Sequence, residues 1–400
     1  MLRIESICAS IAYKPYKYGI FSLKMQIKSR GQKLAIPQKG GYNVKVILLN
    51  ASERSYLMSF TYLKKMPSPE EVSNQLPLRD DLKKLKAERD KIIGDILTGK
   101  DDRFLVIIGP CSADNEEAVL DYVSRLAKVA EKVSEKIFVV PRIYTNKPRT
   151  TGEGYKGIAS QPDPTQAPDM VEGLMAMRSL HIHAIEESHM TCADEMLYPE
   201  NWVYVEDLLS YVAIGARSVE DQHHRLTVSG FDVASGMKNP TSGDFNVMLN
   251  SVYAAQHPHH FTFGGYEVKT TGNPLAHTIL RGAVSKHGNA TQNYHYEDLI
   301  RLHRMYSEMD LLNPACIIDA NHSNSGKDHT QQPRICREIL HNRKYSNEIR
   351  SLIKGVMIES YIEEGNQGIS DHQVYGKSIT DACLGWADSE QLLYDIADRL

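Results

Sequence analysis

Eight polar residues close eight short apolar runs along this chain: Cys111, Arg142, Glu195, Arg217, Lys238, Arg281, His322 and Glu359. Four of them are cations, and Lys147 and Arg149 follow soon after the second run. Cations gathered in one pocket repel one another unless an anion neutralises them, so phosphates and carboxylates are the natural ligands. Arginine offers a planar fork and lysine a point charge, a mixture suited to a small molecule that carries both groups. The other polar ends, Cys111, His322 and Glu359, join Asp381 of the loop YGKSITDAC to make a set of one thiol, one imidazole and two carboxylates. That set suits an open site for a divalent transition metal, being too mixed for a closed structural zinc site and too soft for a magnesium cage. Taken singly, each residue has an ordinary explanation: a strand end meeting solvent, a surface charge beside an acid, a free cysteine acting as a small hydrophobe. Their shared position at the end of each run weakens those explanations.

Such convergence needs a scaffold that brings strand ends to one rim. Strand-like runs fall at 104–108, 137–144, 190–197, 213–219, 233–239, 276–282, 315–323 and 353–361. The first, FLVII, is apolar throughout, as a strand buried on both faces should be. Helical text lies between most of them, at 170–182, 201–212, 244–255, 296–309, 333–353 and 389–400, and the helix after the first strand carries Val119, Tyr122, Val123, Leu126, Ala130 and Val133 at helical spacing, with Asp114 and Glu117 as its capping pair. Eight such units predict an α/β fold, a (β/α)8 TIM barrel over 104–400, whose strand ends all face one mouth. Helices at 70–76 and 80–97 predict an N-terminal helical extension over 58–103, and 259–273, with Gly264-Gly265 at its turn, an inserted β-hairpin.

The 400 residues allow two or three average domains, or one barrel of about 250 residues with additions. The net charge of −4 hides an asymmetry: residues 1–57 hold ten Lys/Arg and two acidic residues, so that segment is +8 and the remainder −12. A basic tail on an acidic body argues against nucleic-acid binding. No run of 18 apolar residues argues for a membrane helix. Six scattered cysteines without a CxxC pair fit a reducing cytoplasm. Residues 1–57 read as a flexible or partner-binding arm, a transit-like presequence, or text upstream of a start at Met58. GEGYKG at 152–157 matches a dinucleotide fingerprint but follows a cationic loop rather than a strand, and the histidine pairs His223-His224, His259-His260 and His181-x-His183 lack helical zinc spacing, so neither predicts a site.

GPCSADN (109–115), PRIYTNKPRTT (141–151), GARSVEDQHHR (215–225), SGMKNPTSGD (235–244), HTILRG (277–282), DANHSNSGK (319–327), GVMIESYIEEGNQ (355–367) and YGKSITDACLGW (375–386) together resemble the type I 3-deoxy-D-arabino-heptulosonate 7-phosphate (DAHP) synthases, from about Met58 to the C-terminus. The resemblance implies condensation of phosphoenolpyruvate with erythrose 4-phosphate, the opening step of the shikimate pathway. It implies one divalent ion (Mn, Fe, Co or Zn) on Cys111, His322, Glu359 and Asp381. Arg142, Lys147 and Lys238 would hold the phosphoenolpyruvate carboxylate, and Arg217, Arg281 and the Ala216 amide its phosphate, with Glu195 assisting. Arg149 and Thr150 would take the aldose phosphate. Lys147, with Cys111 and His322, would make up the catalytic set. Lys147 is expected to move a proton to the new alkoxide, its pKa lowered by neighbouring cations. A homodimer or homotetramer and an aromatic amino acid effector near the hairpin and the extension are also implied. The loop GEGYKG is longer than in many relatives. The nearest rival, 3-deoxy-D-manno-octulosonate 8-phosphate synthase, carries a KANRS-like loop where this chain has KPRTT, and a catalytically silent metabolite-binding homologue is the other alternative.

Overall fold

The computed structural model describes residues 60–370 and 372–400. The segment 1–57 and the boundary expected at Met58 lie outside the described residues. Met66–Leu400 is one compact unit. Its elements, in chain order, are α1 (Pro69–Gln75), α2 (Asp80–Leu97), β1 (Phe104–Gly109), α3 (Glu116–Val133), β2 (Ile137–Pro141), α4 (Met170–Ser188), β3 (Cys192–Glu195), β4 (Leu209–Ile214), α5 (Gln222–Val228), β5 (Ala234–Lys238) and α6 (Phe245–Gln256). The hairpin β6 (His260–Phe263) and β7 (Tyr266–Lys269) comes next, then β8 (Ala276–Leu280), β9 (Ala283–Val284), β10 (Ala290–Thr291), α7 (Tyr296–Ser307) and β11 (Cys316–Asp319). The chain ends with α8 (Gln332–Tyr345), α9 (Asn347–Leu352), β12 (Ile353–Glu359), β13 (Glu363–Asn366), β14 (Lys377–Ser378) and α10 (Trp386–Arg399).

Eight strands form one parallel sheet in the order β2-β1-β12-β11-β8-β5-β4-β3. Its two edges meet through the parallel bridge Arg142–Ala193, which closes the expected barrel. Successive side chains on a strand point to opposite faces, and here both faces are dry. On β1, Phe104, Val106 and Ile108 join the cluster under the helices, whereas Leu105 and Ile107 enter the interior with Val140, Ile279, Ile317 and Met357. Burying each of these apolar side chains contributes roughly 1.5–3 kcal/mol. Ile93, Ile96 and Leu97 of α2 belong to the interior cluster, so α2 plugs the end of the barrel from which the strands start. The other end is left for polar groups.

Three expectations are corrected. The fourth strand is 209–214 rather than 213–219, and 201–212 is not a helix: a short 3-10 turn at Pro199–Tyr204 precedes the strand. The run LSYVAI is buried throughout, because Ser210 donates to Asp90 and the Tyr211 hydroxyl meets His277 Nε2 at 2.7 Å, so its polar atoms are satisfied inside. The seven-residue α5 was not anticipated. The helix expected at 333–353 breaks at Ser346, whose hydroxyl accepts from the Ile349 amide at 3.2 Å and caps α9. Most strands after the first also stop earlier than the apolar text suggests, which leaves Arg142, Arg217, Arg281 and His322 just past them, as Cys111 is past β1. No helix among the described residues is long and apolar enough to cross a membrane.

Candidate active site

At the mouth formed by the strand ends lies a cavity of about 350 Å3. Cys111, Arg142, Lys147, Arg149, Thr150, Glu195, Ala216, Arg217, Lys238, Arg281, His322 and Asp381 all line it. Of the residues expected there, only Glu359 stands behind the lining, 1% exposed at the end of β12. Two glycines make the rim possible. A Cβ on Gly109 would sit 2.2 Å from the Arg142 carbonyl oxygen, and one on Gly215 would sit 2.2 Å from Glu195 Oε1.

One wall is anionic. Ligand atoms of Cys111, Glu359 and Asp381 all lie within 4.8 Å of one another. His322 Nε2 is 3.8 Å from Glu359 Oε1, while its Nδ1 faces Asp319 Oδ2 at 2.8 Å. A second carboxylate behind the imidazole is how metal-binding histidines are usually oriented. The His322 backbone takes φ +50°, a left-handed conformation that is uncommon outside glycine and aims the ring inward. Glu359 is clamped: its carboxylate accepts from Arg142 Nη2 at 2.9 Å and Asn321 Nδ2 at 2.5 Å, and its backbone is held on both sides by the Gln332 amide at 2.9 Å. Asp381 returns to the mouth from the small β13–β14 sheet, where Ser378 Oγ donates to its carbonyl at 2.8 Å.

These donors fit a soft-to-borderline divalent cation, and they already draw cations to themselves. Lys147 Nζ lies 2.7 Å from Cys111 Sγ and 2.9 Å from Asp381 Oδ2. Burial and the Glu359 carboxylate push the Cys111 thiol up to about 11, with Lys147 opposing. Burial works against Asp381, but Lys147 and His322 hold its carboxyl well below the usual range. The expectation for Lys147 is corrected here. Burial lowers its pKa, yet Cys111, Asp381 and Glu359 raise it by more, so the net shift is upward. Its neighbours are the anionic ligand set, not the cations.

The cavity also carries cations. Arg217 is exposed and Arg281 nearly buried. Burial depresses the Arg281 guanidinium, Asp319 opposes, and the charge of Arg217 adds to the depression. Its Nη1 has no hydrogen-bond partner. The Arg281 amide donates to Asn239 Oδ1 at 2.9 Å, which fixes where the side chain leaves the rim. Deeper in, Lys238 Nζ lies 3.5 Å from Glu195 Oε2 and 3.8 Å from Asp319 Oδ2, and Arg142 stacks 3.7 Å over the Tyr144 ring. Arg142 is not a free fork: it also donates to the Pro110 carbonyl, which leaves its Nε without a partner. Arg149 Nε donates to the Tyr155 carbonyl at 2.8 Å, and Thr150 is exposed at the entrance.

The Arg142-to-Lys147 segment is held from below by Asp194, which accepts from the amides of Thr145 at 2.9 Å and Glu195 at 2.7 Å, and meets His181 Nε2 at 3.2 Å. GEGYKG is a loop, with Gly152, Gly154 and Gly157 at positive φ and no helix after it. His224, His259 and His260 find local partners in Asp221, the Ala254 carbonyl and Glu267. Sequence reasoning missed Tyr144, Asn146, Glu153, Thr241, Ser323 and Lys327 in the cavity lining, and Asp319 beneath it. Asp319 was within reach, standing three residues before His322 at the end of a strand.

Asp114 is not the cap of α3. Asn115 takes that place, accepting from the Ala118 amide at 2.9 Å, and Asp114 turns inward with Oδ1 unpartnered. Burial pushes its carboxyl from 3.8 up to about 7. The folded chain therefore keeps a proton that the unfolded chain loses near 4, and stability present below that pH is lost as pH rises towards 7. Melting curves of Asp114→Asn are expected to fall less steeply than wild type over this window and to lie above it at pH 8. Parallel curves would refute the assignment.

Fold and site together define an α/β barrel with one cavity at its strand ends, lined by cations and by a thiol, an imidazole and a carboxylate. The DAHP synthetase I family matches residues 75–394, and the chain belongs to that family. It is 37% identical over 312 residues to a phospho-2-dehydro-3-deoxyheptonate aldolase of Haemophilus influenzae, covering 76% of this chain and 83% of the relative. It is 36% identical over 341 residues to the Tyr-sensitive phospho-2-dehydro-3-deoxyheptonate aldolase of Escherichia coli, covering 83% and 92%. The solved phospho-2-dehydro-3-deoxyheptonate aldolase of Francisella tularensis superposes with a TM-score of 0.79 at 32% identity, over 85% of this chain and 98% of that one.

Proposed function

We propose that the chain is a 3-deoxy-7-phosphoheptulonate synthase, joining phosphoenolpyruvate, D-erythrose 4-phosphate and water to give DAHP and phosphate at the head of the shikimate pathway. The observation that carries this reading is one cavity in which a cluster of cations meets a thiol, imidazole and carboxylate set. Arg217, Arg281 and the Ala216 amide would hold the phosphoenolpyruvate phosphate. Lys238 and Lys147, with the free edge of Arg142, would hold its carboxylate, and Glu195 would set the Lys238 ammonium in place. Arg149 and Thr150 at the entrance would take the phosphate of the aldose. Cys111, His322, Glu359 and Asp381 would hold one divalent ion, which when bound supplies Lewis-acid polarisation of the aldehyde oxygen. The methylene carbon of phosphoenolpyruvate then bonds to the aldehyde carbon, water adds to the carbon left electron-poor, and phosphate leaves. Lys147, protonated at neutral pH, gives the proton to the new alkoxide.

Phosphate release from phosphoenolpyruvate with erythrose 4-phosphate, measured with and without a chelator, tests the reading. Chelator-sensitive release with the four-carbon aldose is expected; release only with arabinose 5-phosphate, or none, would overturn it. Relatives are named Tyr-, Trp- and Phe-sensitive. An aromatic amino acid effector is accordingly proposed for this chain, at the cavity of about 270 Å3 that Trp202, Phe231, Phe261 and Phe263 line beside the β6–β7 hairpin, in a homodimer or homotetramer. The five described cysteines are all free and buried, which accords with a cytoplasmic setting.

A further inference from the structure

We propose that the opposite end of the barrel carries a second anion site, in which Arg343, Arg350 and Lys354 take a phosphate dianion, free or as the monoester of a small metabolite. A cavity of about 240 Å3 opens there, between the turn before β1 and the α8–α9–β12 corner. Its charges are those of Asp101, Asp102, Arg103, Arg343, Arg350 and Lys354. Arg103 is answered internally, its Nη2 lying 2.6 Å from Asp101 Oδ2. Arg343, Arg350 and Lys354 have no carboxylate within ion-pair distance among the described residues. Against these three cations stands Asp102 alone, so the concavity holds a net charge of about +2 in a body that is −12 over residues 58–400.

The cations share one cavity, with Arg343 and Lys354 half-buried and Arg350 exposed. Arg343 is fixed, with Nη1 donating to the Ile353 carbonyl and the guanidinium 4.6 Å over the Phe104 ring. Burial, with Arg350 adding, lowers its pKa to about 10, and burial with Arg343 adding lowers that of Lys354. Like charges held this way are relieved by an anion that all three can reach. Two guanidiniums and one ammonium line the cavity, with one Nη of Arg343 already given to the Ile353 carbonyl, and a dianion cancels the excess where a single carboxylate would leave half of it. The cavity exceeds a bare phosphate group, which leaves room for the organic part of an ester. The site is separate from the mouth: Lys354 and Glu359 stand at opposite ends of β12, about 17 Å apart along the strand.

Isothermal titration of the full chain with inorganic phosphate tests this, using wild type, Arg217→Ala/Arg281→Ala to disable the mouth, and Arg350→Gln/Lys354→Met to disable the far end. Wild type and the mouth variant are expected to share one binding event that the far-end variant weakens about tenfold or more. Arg350→Lys should keep it within a few-fold, and the initial rate of the far-end variant should match wild type. Glycerol 3-phosphate binding at least as tightly as phosphate would assign the site to esters, and weaker binding to the free ion. The proposal fails if the far-end variant, folded by circular dichroism, binds phosphate as wild type does, if the mouth variant shows no binding, or if malonate or a short RNA binds there more tightly than either phosphate.

Discussion

Replacing Cys111 by alanine is expected to lower metal-dependent turnover by about three orders of magnitude, because the Lewis-acid contribution of a bound ion is worth several kcal/mol and each 1.4 kcal/mol is tenfold in rate. Cys111 follows the last residues of β1 and is wholly buried, with Sγ 3.5 Å from Asp381 Oδ2 and 2.7 Å from Lys147 Nζ. It is the only soft donor of the four, and its loss leaves an imidazole and two carboxylates that hold a transition metal less well. The fold should survive, since alanine removes one sulfur atom and the neighbouring Ser112–Thr380 hydrogen bond, 2.8 Å, is untouched. Metal content by mass spectrometry should fall in parallel with the rate, and thermal melting should change little. Full activity with unchanged metal content would defeat the ligand assignment.

Lys147→Met should reduce kcat by roughly 10²–10⁴, the usual range for a lost proton donor. The ammonium is bracketed by Cys111 Sγ and Asp381 Oδ2, so the anions around it outweigh burial and keep it protonated. It is therefore placed to act as an acid or a hydrogen-bond donor at neutral pH. Lys147→Arg separates charge from proton transfer, because a guanidinium keeps the charge but gives up no proton. Both variants are expected to be slow. Arg at wild-type rate would reduce Lys147 to a structural charge, and Met within tenfold of wild type would remove it from the reaction.

Much of this was legible in the sequence, for reasons that differ from element to element. Runs such as FLVII and CIID fix buried parallel strands because both faces must be apolar, and a closed barrel then forces their ends onto one rim. Cys111, Arg217, Arg281 and His322 could thus be placed at one mouth from residue order alone. The fourth strand was misplaced because Ser210 and Tyr211 look polar in the text, and their partners, Asp90 and His277, come from distant segments. The same limit hid the state of Lys147. The charged residues nearest it in sequence are Arg142 and Arg149, but the groups within 3 Å of its ammonium come from positions 111 and 381. Asp194 acts through the Thr145 amide and the His181 imidazole, contacts that exist only once the chain has folded, whereas Asp319 lies three residues from the imidazole it faces.

The most direct measurement is a crystal of the full chain grown with Mn2+ and phosphoenolpyruvate, with anomalous scattering recorded at the manganese edge. One anomalous peak is expected within coordinating distance of Cys111, His322, Glu359 and Asp381, with the substrate phosphate between Arg217 and Arg281 in the same cavity. A manganese ion elsewhere, or phosphoenolpyruvate bound away from those arginines, would contradict the account.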